Sequence, residues 1–121
     1  MDRREGVLGA RVAIVGSRDY PNLGRVKEYV AALPAGTTVV SGGARGVDRT
    51  AAEAARLHGL KVLEFPADWL RHGKAAGYMR NRLIVANADR VVAFQYNASR
   101  GTQHTINLAR DAGLDVEIWN D

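Results

Sequence analysis

The chain has 121 residues, 46% of them hydrophobic and 25% charged, and a formal net charge of +4 at pH 7. Absence of cysteine excludes disulfides and thiolate metal sites. No apolar run approaches the ~20 residues of a membrane span, and the charged stretch Met1 to Gly6 lacks the apolar core of a signal peptide.

A cytoplasmic protein is therefore expected, with a flexible arm over residues 1–9 and one domain over 10–121. Ala10 to Val15 is apolar and rich in β-branched residues, the pattern of a parallel strand buried on both faces. Gly16-Ser17-Arg18-Asp19-Tyr20-Pro21 breaks it. Asn22 is a capping candidate for a helix to about Leu33, ended by Pro34 and Gly36. Thr37 to Ser41 reads as the second strand. Ser41-Gly42-Gly43-Ala44-Arg45-Gly46-Val47-Asp48 turns into a helix over Thr50 to Leu57, with Asp48 as its candidate cap and a small-sided face at Ala51, Ala54 and Ala55.

Leu60 to Phe65 reads as the third strand, stopped by Pro66. Asp68 to Gly73 reads as irregular. A third helix is predicted from about Lys74 to Asn87, with Met79, Leu83 and Ala86 on one side. Arg90 to Phe94 is the fourth strand, Gln95 to Arg100 a polar loop, and Thr102 to Ala112 the fourth helix, closed by Gly113. Val116 to Trp119 alternates like an edge strand.

Strands alternating with helices imply a Rossmann-like, doubly wound α/β fold: a parallel sheet with helices on both faces. The expected strand order is 3-2-1-4-5. Ligands of such sheets bind beyond the carboxyl ends of the strands, where the winding reverses. The loops brought there are Gly16-Ser17-Arg18, Ser41 to Asp48, and Ser99-Arg100-Gly101-Thr102. Each combines glycine, a hydroxyl side chain and arginine. Glycines allow close backbone approach, helix starts offer unpaired N–H groups to phosphate, and guanidinium groups add forked donors. Of the 17 basic residues only Lys27, Lys61 and Lys74 are lysines. An anionic ligand follows. The dinucleotide fingerprint G-x-G-x-x-G and the P-loop G-x-x-x-x-G-K-[ST] are both absent.

Gly16-Ser17-Arg18 together with Ser41 to Asp48 resembles the SLOG superfamily, which groups the Rossmann-like domain of DprA (Smf) with the Lonely Guy (LOG) enzymes. Gly73-Lys74-Ala75-Ala76-Gly77-Tyr78-Met79-Arg80-Asn81 and Ser99-Arg100-Gly101-Thr102-Gln103-His104-Thr105 resemble the YspA-like, cpYpsA-related SLOG family. The resemblance spans about residues 10 to 119. It implies binding of a nucleotide or nucleotide-derived phosphate ligand, as a sensor or processor in bacterial or phage conflict, in a homodimer or higher homo-oligomer. It places Gly16, Ser17 and Arg18 on the site floor. Ser41, Gly42, Gly43, Arg45, Gly46 and Asp48 approach sugar or phosphate. Arg80 and Asn81 reach in from the third helix. Ser99, Arg100, Gly101 and Thr102 form the phosphate loop.

LOG enzymes carry a glutamate where this chain has Thr105. A LOG-like N-glycosidase then needs another carboxylate, and Asp48 is the candidate. Single-stranded DNA binding, as in DprA, is a further alternative, though the chain is modestly basic and aromatic-poor. Tyr20 and Tyr96 are stacking candidates. His72 is a candidate to close over a base, and Trp69 reads as a core or dimer anchor. His104 reads as a solvated first-turn residue and His58 as a helix-end cap. The histidines lack metal-ligand spacing, so neither metal nor cofactor is expected.

Overall fold

The computed structural model describes residues 9–120; residues 1–8, which hold most of the predicted arm, and residue 121 lie outside the described residues. Five strands run β1 (Arg11–Gly16), β2 (Thr38–Ser41), β3 (Lys61–Glu64), β4 (Arg90–Gln95) and β5 (Asp115–Asn120). All pair in parallel, in the order β3-β2-β1-β4-β5. This is the expected Rossmann-like topology.

Strand periodicity explains the two-sided core. Val12 and Ile14 of β1, Val39 of β2, and Val92 and Phe94 of β4 belong to one buried cluster. Their chain neighbours Ala13, Val15, Val40, Val91 and Ala93 belong to the other. The first cluster is covered by α1 (Leu23–Ala31), through Val26 and Val30, and by α2 (Val47–Leu57), through Val47, Ala51 and Ala55. The second is covered by α4 (Ala76–Ala86), through Ile84, and by α5 (Arg100–Asp111), through Ile106 and Ala109. β5 lies at the sheet edge, with Asp115 and Glu117 exposed and Val116 and Ile118 half-buried.

Tyr20 is not a stacking candidate: it is 2% exposed and meets the Phe94 ring edge-on at 5.4 Å. Phe94 also stacks on Trp119 at 5.9 Å.

Asn22 caps α1 as expected, its Oδ1 accepting from the Arg25 N–H at 3.1 Å. Asn22→Ala should cost about 1 kcal/mol in chemical denaturation, the ordinary value of such a cap. An unchanged midpoint would show that the chain entry, not the amide, fixes this helix end.

Three local readings are corrected. The segment before α4 is not irregular: Asp68 accepts from the Arg71 N–H at 3.1 Å and caps a one-turn helix, α3 (Trp69–His72), followed by a 3-10 turn at Gly73–Ala75. α4 buries Ala76, Asn81 and Ile84, whereas Met79 and Leu83 are exposed. Apolar residues lie all round this helix, so spacing alone did not select its inner face. α5 begins at Arg100 rather than Thr102, which puts Gly101 and Thr102 inside its first turn.

Candidate functional site

A cavity of about 420 Å³ opens beyond the carboxyl ends of β1 and β4, on the α4/α5 side. That size suits a small molecule. Buried Val15, Ile84 and Thr105 line its inner part. Around them stand Gly16, Arg18 and Asp19 after β1, Ala44 and Asp48 after β2, and Ser99, Gly101 and Thr102 after β4. Trp69, Lys74, Tyr78, Arg80 and Asn81 complete the wall from the α3–α4 segment. Loops following β1, β2 and β4 therefore meet at the reversal of winding.

Asp48 is the buried charge of the cavity. It does not cap α2; the cap is Gly46, and Asp48 is the second helical residue, only 6% exposed. Its Oδ2 accepts from the Ala44 N–H at 3.4 Å, and the amides of Gly16 and Gly42 also donate to it. These amides and the Arg80 guanidinium favour the carboxylate. Burial outweighs them and pushes the group up from 3.8 to about 6.

Arg80 links this carboxylate to the rest of the wall. Its Nη1 donates to the Gly42 carbonyl at 2.6 Å, tying α4 to the loop after β2. Its Nε donates to Asn81 Oδ1 at 3.0 Å. Because that nitrogen can only donate, the oxygen of the Asn81 amide is fixed, and the other end is the NH₂. That Nδ2 donates to the Gly101 carbonyl at 3.4 Å and faces His104 Nδ1 at 3.2 Å. His104 Nδ1 must then be the acceptor, so the ring is neutral and carries its proton on Nε2. Burial, with Arg82 adding to it, lowers the imidazole's pKa in the same sense. His104 is thus not merely solvated: it is half-buried and meets the Tyr78 ring at 4.5 Å.

The predicted site residues divide by position. Gly16, Arg18, Asp48, Arg80, Asn81, Ser99, Gly101 and Thr102 all line the cavity. Ser17 and Ser41 brace the loops instead. Ser17 Oγ donates to the Tyr96 carbonyl at 3.1 Å and accepts from the Tyr96 N–H at 2.9 Å, clamping the loop after β1 to that after β4. Ser41 Oγ donates to the Asp48 carbonyl at 3.2 Å and accepts from the Gly43 N–H at 3.1 Å. Arg45 is exposed and off the cavity, and Arg100 lines a neighbouring one.

Tyr96 packs on the first core cluster, and His72 is exposed at the end of α3. Lys74, Trp69 and Tyr78 were not placed at the site from sequence. Trp69 is not a core residue: it is half exposed and lies over Gly77. The signal was present as two aromatics flanking a lysine, but Leu70, Ala75 and Ala76 lie between them, and it needed the right helix face to be read.

The model of the YspA, cpYpsA-related SLOG family matches residues 10–72. Gene 61 protein of Mycobacterium phage D29 is 39% identical over 121 residues, covering 92% of this chain and 97% of that protein. The chain belongs to the YspA, cpYpsA-related SLOG family. Its SLOG fold is shared with DNA processing protein A (DprA) of Streptococcus pneumoniae, at a TM-score of 0.77 and 24% identity over 90% of this chain. The SLOG chain spans 50% of that protein's length. DprA of Helicobacter pylori, described with a unique single-stranded DNA binding mode, matches at a TM-score of 0.67 and 22% identity, over 92% of this chain and 65% of that one.

Proposed function

We propose that the cavity binds a nucleotide or nucleotide-derived phosphate ligand. The supporting observation is the first turn of α5. It opens into the cavity at Gly101 and Thr102, its N-cap Ser99 makes no side-chain capping bond, and exposed Arg18 and Lys74 stand on the same rim. A phosphate there meets unpaired N–H groups, the positive helix end and two cations. Asp48 is an acceptor suited to a sugar hydroxyl. The half-exposed rings of Trp69 and Tyr78 offer apolar faces to a base.

A thermal-shift screen of nucleoside monophosphates, cyclic nucleotides, ADP-ribose and short single strands tests the reading. Saturation at about 100 Kd should add about 2.7 kcal/mol of stability. The Arg18→Ala/Lys74→Ala double variant should weaken the best ligand at least ~10-fold, since hydrogen bonds to charged groups contribute about 1.5–3 kcal/mol. A panel that shifts nothing would overturn it.

Asp48 also favours a second reading. A carboxyl that titrates near 6 inside a ligand-sized cavity is matched to acid–base work at neutral pH. Cleavage of an N-glycosidic bond is the corresponding reaction. Release of free base, followed by chromatography and lost in Asp48→Asn, would support it; no release from any nucleotide that binds would remove it.

A further inference from the structure

A second, more open hollow of about 490 Å³, lined largely by exposed residues, adjoins the first. The two share Tyr78, which lines both. They also share the first turn of α5: Arg100 lines the second and Gly101, the next residue, lines the first. The second cavity presents Arg82 from α4 and Arg100 from α5, two cations from different elements. Among the described residues that line it, none is acidic.

Its other feature is a fixed ring pair. Tyr78 and His104 meet at 4.5 Å. The Arg80–Asn81 hydrogen bonds set the His104 tautomer and leave Nε2–H as its donor. Ala98, also on this cavity, sits at φ 46, and Asn97 before it at φ 54. These two residues form the turn that leads into α5. Two guanidinium groups, an aromatic pair and one ring N–H suit a phosphate attached to a planar heterocycle.

We propose that this cavity is a second nucleotide subsite, so that the protein takes a dinucleotide whose two phosphate-and-base units straddle Tyr78. The proposal rests on the nucleotide reading of the first cavity and adds the size class of the ligand. The shared chemistry is a second base–phosphate unit joined covalently to the first. It is supplied either by a 3′,5′-phosphodiester or by a 5′,5′-pyrophosphate link.

Calorimetry on the full chain tests it with three sets of probes. These are the common ribo- and deoxynucleoside 5′-monophosphates, the complete sets of 5′-phosphorylated linear dinucleotides, and pyrophosphate-linked dinucleotides. At least one dinucleotide should bind about 10-fold or more tighter than its component mononucleotide, the gain expected when a second site is engaged through a short linker. The linkage that shows the gain identifies the source. Arg82 and Arg100 are both exposed, and neither lines the first cavity. Arg100 opens the helix turn that serves the first cavity, so the selective variant is Arg82→Ala, which should remove most of the gain and leave mononucleotide affinity unchanged. Mononucleotide binding with no dinucleotide advantage, or an advantage that survives Arg82→Ala in full, overturns the second subsite alone. No binding by any probe overturns both cavities' readings together.

Discussion

Gly46→Ala is expected to lower the melting temperature by about 10 °C and to abolish ligand-induced stabilisation. Two costs add. Gly46 sits at φ +79, a conformation that costs an L-residue about 1–2 kcal/mol. Its new Cβ would also lie 2.5 Å from the Arg18 carbonyl oxygen and 3.0 Å from the Arg18 carbonyl carbon and Cα. Those atoms are backbone, so no side-chain rotation relieves the overlap, and overpacking of this kind costs about 1–3 kcal/mol. The sum is about 3 kcal/mol, or about 10 °C in a domain of this size.

Gly59→Ala supplies the control. Gly59 has φ +75, but nothing lies within 4 Å of its Cβ position. It should show the backbone cost alone, about 1 kcal/mol, and keep ligand binding. The difference between the two variants then measures the contact between the N-terminus of α2 and the loop after β1. That loop carries Arg18 and Asp19 into the cavity, so displacing it removes the site as well as stability. Equal destabilisation by the two variants would show that this approach is not tight.

The architecture was legible because buried strands announce themselves. Val12 to Val15 and Val91 to Phe94 are apolar at every position, and a strand has that pattern only when both its faces are covered. Alternation with helices then left few topologies. The α3–α4 segment was not legible for the opposite reason. Its apolar side chains cover every face of α4, and its one fully committed inward polar group, Asn81, faces a cavity rather than a core. Helical periodicity registers burial against apolar neighbours. It cannot register a polar residue buried beside a ligand site.

The same limit applied to arginine. Loop position brought Arg18, Arg45 and Arg100 to the carboxyl edge of the sheet, and the family resemblance added Arg80 from the third helix. What each guanidinium touches depends on tertiary geometry. Arg80 holds the Gly42 carbonyl and Asn81, Arg18 stands on the rim, Arg45 is exposed off the cavity, and Arg100 crosses the first turn of α5 into the neighbouring cavity. Likewise, capping statistics favoured Asp48 as the helix cap. Gly46 took that position because only a residue without a side chain fits against Arg18. Asp48 was thereby carried one turn position inward, where desolvation governs it.

Asp48 should leave a signature in the pH dependence of stability. Its folded value of about 6 lies above the ordinary 3.8, so between those values the folded state binds more protons than the unfolded state. Stability from this group is fully present below about pH 3.8, falls as pH rises through about 6, and stays lower beyond it. The step from 3.8 to about 6 corresponds to ~3 kcal/mol. Asp48→Asn removes the titration. Its NH₂ also faces the Ala44, Gly16 and Gly42 amides, which adds a mismatch that does not change with pH. The diagnostic quantity is therefore the difference in unfolding free energy between wild type and variant, measured by chemical denaturation from about pH 4 to about pH 7. It should fall by ~2 kcal/mol across that window, the part of the step that lies above pH 4, and every group common to both proteins cancels from it. A flat difference would mean that Arg80 and the three amides offset burial, and that Asp48 meets any ligand as an ordinary carboxylate. A falling one would mean that the bare cavity holds a desolvated anion at neutral pH. A sugar hydroxyl donated to that anion would relieve it, so affinity for a nucleoside monophosphate should rise through pH 6 more steeply in wild type than in Asp48→Asn.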